Sequence, residues 1–191
     1  MNTYEADLFR DKQLGFLIYL GVETIMFLTL FATYLIFTPS TEGPSPSEVF
    51  QTKTVIISSI FLLSSSGTLF MSEKGLNHRS VPQIVTWLGV TLLFGLIFLG
   101  LEINEFKTLI ENGNTVSTSS FLSSYFVLVG LHAAHVLFGC GWMIVLFVQL
   151  SGIKIPFNLF KEKLKIFSYY WHFVDVMWVF IILIVYARYI F

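Results

Sequence analysis

Five long apolar runs organise this chain, at about residues 14–37, 54–72, 82–101, 121–150 and 166–187. Charged or proline-rich segments separate them. Each run approaches or exceeds the roughly 20 residues with which a helix crosses a bilayer. No water is available there for backbone N–H and C=O groups, so helices are the expected form. The pattern predicts an all-α fold. It is a polytopic membrane protein, a five-transmembrane-helix bundle forming a single integral-membrane domain over residues 1–191. The run at 121–150 is too long for an untilted span and is expected to tilt or to extend beyond the membrane. Residues 38–53 (TPSTEGPSPSEVFQTK) hold three prolines and are predicted irregular. Residues 102–120 hold ENGN and a Ser/Thr cluster, both turn signals, with Ser120 the expected cap of the fourth helix.

The cationic residues set an orientation. With the N-terminus inside, the inner segments carry Arg10, Lys12, Lys74, Arg79, Lys154, Lys161, Lys163 and Lys165, and the outer ones Lys53, Lys107 and Arg188. Eight against three predicts a cytoplasmic N-terminus and an outer C-terminus. Composition agrees with a lipid-facing surface. Only 12% of residues are charged, against about 25% in a soluble domain. A net charge of -1 gives no reason to expect nucleic acid. The N-terminal stretch MNTYEADLFRDKQ lacks the basic region and cleavage site of a removable signal peptide. The lone cysteine, Cys140, lies in an apolar run and is expected to pack.

Ionisable residues inside the runs are the candidate chemistry, because at bilayer depth they normally face protein or water. The fifth run reads YYWHFVDVMWVF over 169–180. His172 and Asp175 are three apart on one helix face, and Trp171 and Trp178, seven apart, share the same stripe. Two roles fit: a proton relay or lipid contact, or an interhelical clamp in which Asp175 accepts from His, Trp or Tyr donors. Glu23 sits near the middle of the first run, on the same side as Phe16, Tyr19, Phe27, Leu30 and Tyr34. It reads as a proton-sensitive or lipid-headgroup site, or as a packing hydrogen bond. His132 and His135 are again three apart. Metal or haem ligation is one reading. Packing is the other, with Gly130, Ala134 and Gly139 admitting a neighbouring helix. No metal-ligand spacing recurs on a second helix, so no metal site is expected.

Glu102 and Glu105 close the third run as span-end acids, read as a solvated helix end or as a proton-entry or cation site. Ser64, Ser65, Ser66 and Gly67 read as a close-packing surface. Tyr34, Trp87, Tyr169, Tyr170 and Tyr189 fit interfacial belts. No phosphate loop, nucleophile motif or CxxC pair is present. The residues alone lead to a five-helix membrane protein with buried acids. They leave open a stand-alone transporter or proton channel using Glu23 and Asp175, and a haem-binding membrane cytochrome. A transporter would more often show repeats and helices broken at mid-span. Here Pro82 lies at a span start and Pro156 in a loop.

Four segments, in order, resemble subunit III of the haem–copper terminal oxidases: LGFLIYLGVETIMFLTLFATY at 14–34, GLEINEFK at 100–107, SSYFVLVGLHAAHVLFG at 123–139 and YYWHFVDVMWVF at 169–180. The resemblance covers nearly the whole chain. It is to a short five-span bacterial form that lacks the first two spans of the seven-span type. One departure is Ala133, where the family usually has glycine after the first histidine.

The resemblance implies a non-catalytic subunit of a proton-pumping oxidase that reduces O2 to water in aerobic respiration. It implies an accessory part of an oxidoreductase with no redox centre or cofactor in this chain, haem and copper lying in partner subunits. Subunit I is the implied main contact, with subunit II and a small subunit IV nearby and bound phospholipid between them. The implied role is to stabilise subunit I and to support proton uptake and lipid and oxygen access. Glu23 matches the family's buried carboxylate, and His132, His135, His172 and Asp175 match its intramembrane polar positions. The implied setting is the bacterial cytoplasmic membrane. The electron donor, cytochrome c or quinol, stays open.

Overall fold

A computed structural model of the chain describes residues 3–38, 52–151 and 155–187. These form five long helices, α1 (Thr3–Ile36), α2 (Thr52–Asn77), α3 (Val81–Glu111), α4 (Ser120–Ser151) and α5 (Phe157–Ile181), with a π-helical turn, Ile182–Tyr186, continuing α5. All five are long and apolar enough to cross a membrane. The predicted all-α bundle is what the chain forms. The helices overrun the apolar runs, because hydropathy marks the hydrocarbon layer and not the helix. α3 has 31 residues, about 46 Å at 1.5 Å per residue, against a core of about 30 Å. The proline-rich stretch at 39–51, Lys154, Arg188 and Tyr189 lie outside the described residues.

α2 and α3 form a tight antiparallel hairpin. Its turn places Arg79 at φ 52, in the left-handed region, and Ser80 N–H donates to Gly75 O at 3.0 Å. A side chain at Gly75 would put its Cβ 2.9 Å from Ile84 Cγ1, so the closeness of the hairpin depends on glycine. At the far end of α3 the predicted ENGN turn is a Schellman cap. Gly113, at φ 82, donates to Ile110 O at 3.0 Å, and Asn114 N–H donates to Leu109 O at 2.9 Å. Ser120, the expected cap of α4, is its first helical residue. Ser119 is the cap instead, its Oγ accepting from Leu122 N–H at 3.2 Å.

α5 is the hub of the bundle, packing against α1, α2 and α4. α1 packs chiefly on α4 and α5. It buries a narrow stripe of Leu20, Phe27, Phe31 and Tyr34 and leaves Ile18, Val22, Ile25 and Leu28 exposed for lipid. Lipid tails are as apolar as leucine, so close packing and interhelical hydrogen bonds must hold the helices together. Trp171 supplies the first. It lies against two glycines on different helices, where an added Cβ would stand 2.6 Å from its ring at Gly139 and 3.0 Å at Gly95. Cys140 is buried beside Gly95, as a packing residue.

Two expectations fail on burial. Tyr34 and Tyr170 are each only 1% exposed and so are core residues, not interfacial ones. Glu102 and Glu105 are 0% and 1% exposed, so they do not form a solvated helix end. α3 continues through both acids to Glu111, keeping Leu109 on the buried face.

Candidate functional site

Among the described residues, most of the ionisable side chains inside the bundle gather into three clusters. The first joins α5 to α2. Trp171 Nε1–H donates to Ser65 Oγ at 2.8 Å, and Trp178 Nε1–H donates to Ser59 Oγ at 3.1 Å. Between them Ser66 Oγ donates to Asp175 Oδ2 and lies 2.9 Å from His172 Nδ1. Ser66 has one hydroxyl proton, already committed to Asp175, so the imidazole must donate from Nδ1. These contacts join two helices, as an interhelical clamp would, but with a different donor from those expected. Asp175 accepts from Ser66, not from His, Trp or Tyr. The serine stripe is therefore a row of hydrogen-bonding partners as well as a close-packing surface.

The second cluster joins α1 to α4. Glu23 Oε2 lies 3.3 Å from His135 Nε2, with both side chains slightly exposed. His135 Nδ1 is 2.8 Å from Leu131 O. A carbonyl can only accept, so Nδ1 carries a hydrogen. A second proton must then lie between Nε2 and Glu23, on the ring or on the acid, and the pair is neutral in either state. A cavity of about 220 Å³ lined by Tyr19, Leu131, Ala134, His135, Phe138 and Tyr170 opens beside it. A second, apolar groove of about 380 Å³ runs along α1 and α5, lined in part by Phe27, Phe31, Met177 and Phe180.

His132 and His135 do not act together. His135 meets Glu23 on α1, whereas His132 packs among aromatic rings. His132 is fully buried, stacked on Trp178 at 5.0 Å and edge-on to Phe98 at 5.9 Å. Neither of its ring nitrogens has a hydrogen-bond partner. Among the described residues no group of three or more His, Cys, Asp or Glu side chains could hold a metal ion.

The third cluster is the buried pair Glu102 and Glu105 on α3. Tyr125 O–H on α4 donates to Glu105 Oε1 at 3.4 Å, and the Tyr186 hydroxyl on the π-turn lies 3.0 Å from that of Tyr125. The sequence reading named the acids without these tyrosines, and the tryptophans and Asp175 without their serines. A signal for the latter exists. Ser58 and Ser59, then Ser65 and Ser66, repeat at seven residues, the spacing of Trp171 and Trp178.

The chain matches the family cytochrome c oxidase subunit III over residues 4–189. It is 41% identical over 179 residues to a cytochrome c oxidase subunit 3 from Bacillus sp. (strain PS3), covering 93% of this chain and 86% of that one. It is 39% identical over 179 residues to a quinol oxidase subunit 3 from Bacillus subtilis (strain 168), covering 93% and 87%. A cytochrome bo(3) ubiquinol oxidase subunit 3 from Buchnera aphidicola subsp. Baizongia pistaciae (strain Bp) is 37% identical over 183 residues, covering 95% and 94%. Five apolar helices and a match across nearly the whole length agree: the chain belongs to the cytochrome c oxidase subunit III family.

Proposed function

We propose that this chain is the non-catalytic third subunit of a proton-pumping haem–copper terminal oxidase in a bacterial cytoplasmic membrane. It acts as a single integral-membrane unit with its N-terminus in the cytoplasm, as the lysines and arginines favour. Haem and copper reside in partner subunits, and O2 is reduced to water there. This chain packs on subunit I, with subunit II and a small subunit IV in the same complex. It stabilises subunit I during turnover, with phospholipid in its grooves, and supports proton uptake and oxygen access. The observation that carries the reading is the family match over residues 4–189.

The clusters suit such a role. The Ser–Trp and Ser–Asp contacts hold α2 on α5 without any reacting group. In this reading Glu23 with His135 is the proton- or lipid-responsive site, since one proton sits between them and a cavity reaches His135. A quinol-oxidase setting is the second reading, because relatives named for either donor match this chain to a similar degree. The test is purification of the tagged chain from native membranes in mild detergent. The expected result is co-purification with a larger haem-containing subunit and oxidase activity. Elution of the chain alone, with oxidase activity left in the flow-through, contradicts the assignment.

A further inference from the structure

Glu102 and Glu105 have no place in the function proposed above, and their surroundings are unusual. Both are buried inside the bundle, being 0% and 1% exposed. Among the described residues neither has an ion-pair partner; the cation on their own helix, Lys107, is exposed and pairs with Glu111. Two ionised carboxylates so placed would repel each other with no compensating charge, which a low-dielectric site does not tolerate.

The hydrogen bonds are also incomplete in an informative way. Glu105 Oε1 accepts from Tyr125, but Glu105 Oε2 and both Glu102 oxygens have no partner. The Tyr125 proton is spent on Glu105, so Tyr186 must donate to Tyr125. The donors therefore run in one direction, from Tyr186 through Tyr125 to Glu105, and stop at an acceptor. On α2, Ser58 faces Glu102, with its hydroxyl turned to Val55 O at 3.1 Å. Tyr186 reaches the cluster from a π-helical turn, a feature that often marks a functional position in a helix. Glu102 is thus a fully buried, unpartnered carboxyl, three residues from an acid that already has a donor on its other oxygen.

The geometry points to a proton-binding site in which Glu102 and Glu105 jointly hold one proton. That one proton sits on Glu102, the acid that no donor serves. It lowers the buried charge of the pair from two to one, and Tyr125 donates to the carboxylate that remains. Among the described residues, the polar groups facing the pair include Tyr125 from α4, Tyr186 from the π-turn and the neutral Ser58 from α2. This inference adds a site and does not depend on Glu23.

Infrared difference spectroscopy of the purified oxidase complex containing this chain, at neutral pH in H2O and D2O, counts the protons. The expected parent spectrum has one deuterium-sensitive protonated-carboxyl band from the pair. Glu102→Gln should abolish it, because Glu105, with Tyr125 as its donor, then stays ionised. Glu105→Gln should keep the band at a shifted frequency. A band that survives Glu102→Gln means that both acids are protonated and overturns the proposal. No band in the parent, with a melting temperature that responds to Na+ or K+, means that a cation occupies the site and overturns it equally. If Glu102→Gln does not assemble, Tyr125→Phe reads the same pair: the single band should shift, and an unshifted band contradicts the proposal. The haem spectrum and subunit content of each preparation test the subunit assignment separately.

Discussion

Glu23 and Glu102 are both glutamates inside apolar helices, yet the bundle treats them differently. Glu23 stands at the edge, on the helix with the narrowest buried stripe, with a histidine at 3.3 Å and a cavity beside it. Glu102 is sealed among four elements, with a second acid as its neighbour. A row of rings runs between the two sites: His135 to Phe27 at 5.2 Å, Phe27 to His132 at 6.4 Å, His132 to Trp178 at 5.0 Å and Trp178 to Tyr186 at 6.3 Å. The bundle therefore has one acid site that can exchange with its surroundings and one walled off from them. The difference lies in the partners, a base in one case and an acid in the other.

The largest expected effect tests access. A hydrophobic carbodiimide should label the complex at Glu23, and Glu23→Gln should remove essentially all of the label on this chain, as peptide mass mapping would show. Label on Glu102 or Glu105 in that variant would mean that the second site is open. Stability should separate the two sites next. Glu105→Ala opens a void and strands the Tyr125 donor, a loss of about 3 kcal/mol, whereas Glu23→Gln keeps volume and hydrogen bonding and should cost less than about 1 kcal/mol. Thermal melting of the detergent-solubilised complex gives both, and equal losses would erase the distinction.

Overpacking tests the seam around Trp171. Gly139→Ala places a methyl where only 2.6 Å separates it from the indole, and should cost about 2 kcal/mol. The same change at Gly141, where nothing lies within 4 Å, should be silent in the same melt. The smallest effect belongs to the clamp. Ser59→Ala strands the Trp178 N–H within the ring row, and should cost about 1 kcal/mol. A change of several kcal/mol would mean that the row of rings depends on this bond.

The five helices were legible because a bilayer imposes length and hydropathy on any span. The clamp was half legible. His172 and Asp175 announce themselves by charge, but Ser65 and Ser66 look like packing residues until a second helix brings tryptophans to them. Glu102 and Glu105 were misread for a physical reason. Hydropathy treats a glutamate as solvated and so ends the span there, whereas α3 carries both acids inward on the face that continues to Leu109. The same logic places Tyr34 and Tyr170 at the membrane interface, whereas both are buried. Sequence position along a span says how deep a residue lies, and only packing says whether it faces lipid or protein.

The proposed role places the redox chemistry of the oxidase in its other subunits. The direct measurement is oxygen consumption over successive turnovers, with haem content, for complexes purified with and without this chain. The account predicts that the complex lacking it keeps its haem and most of its initial rate but loses activity within fewer turnovers. Loss of haem in proportion to loss of this chain, or an unchanged lifetime without it, would contradict the account.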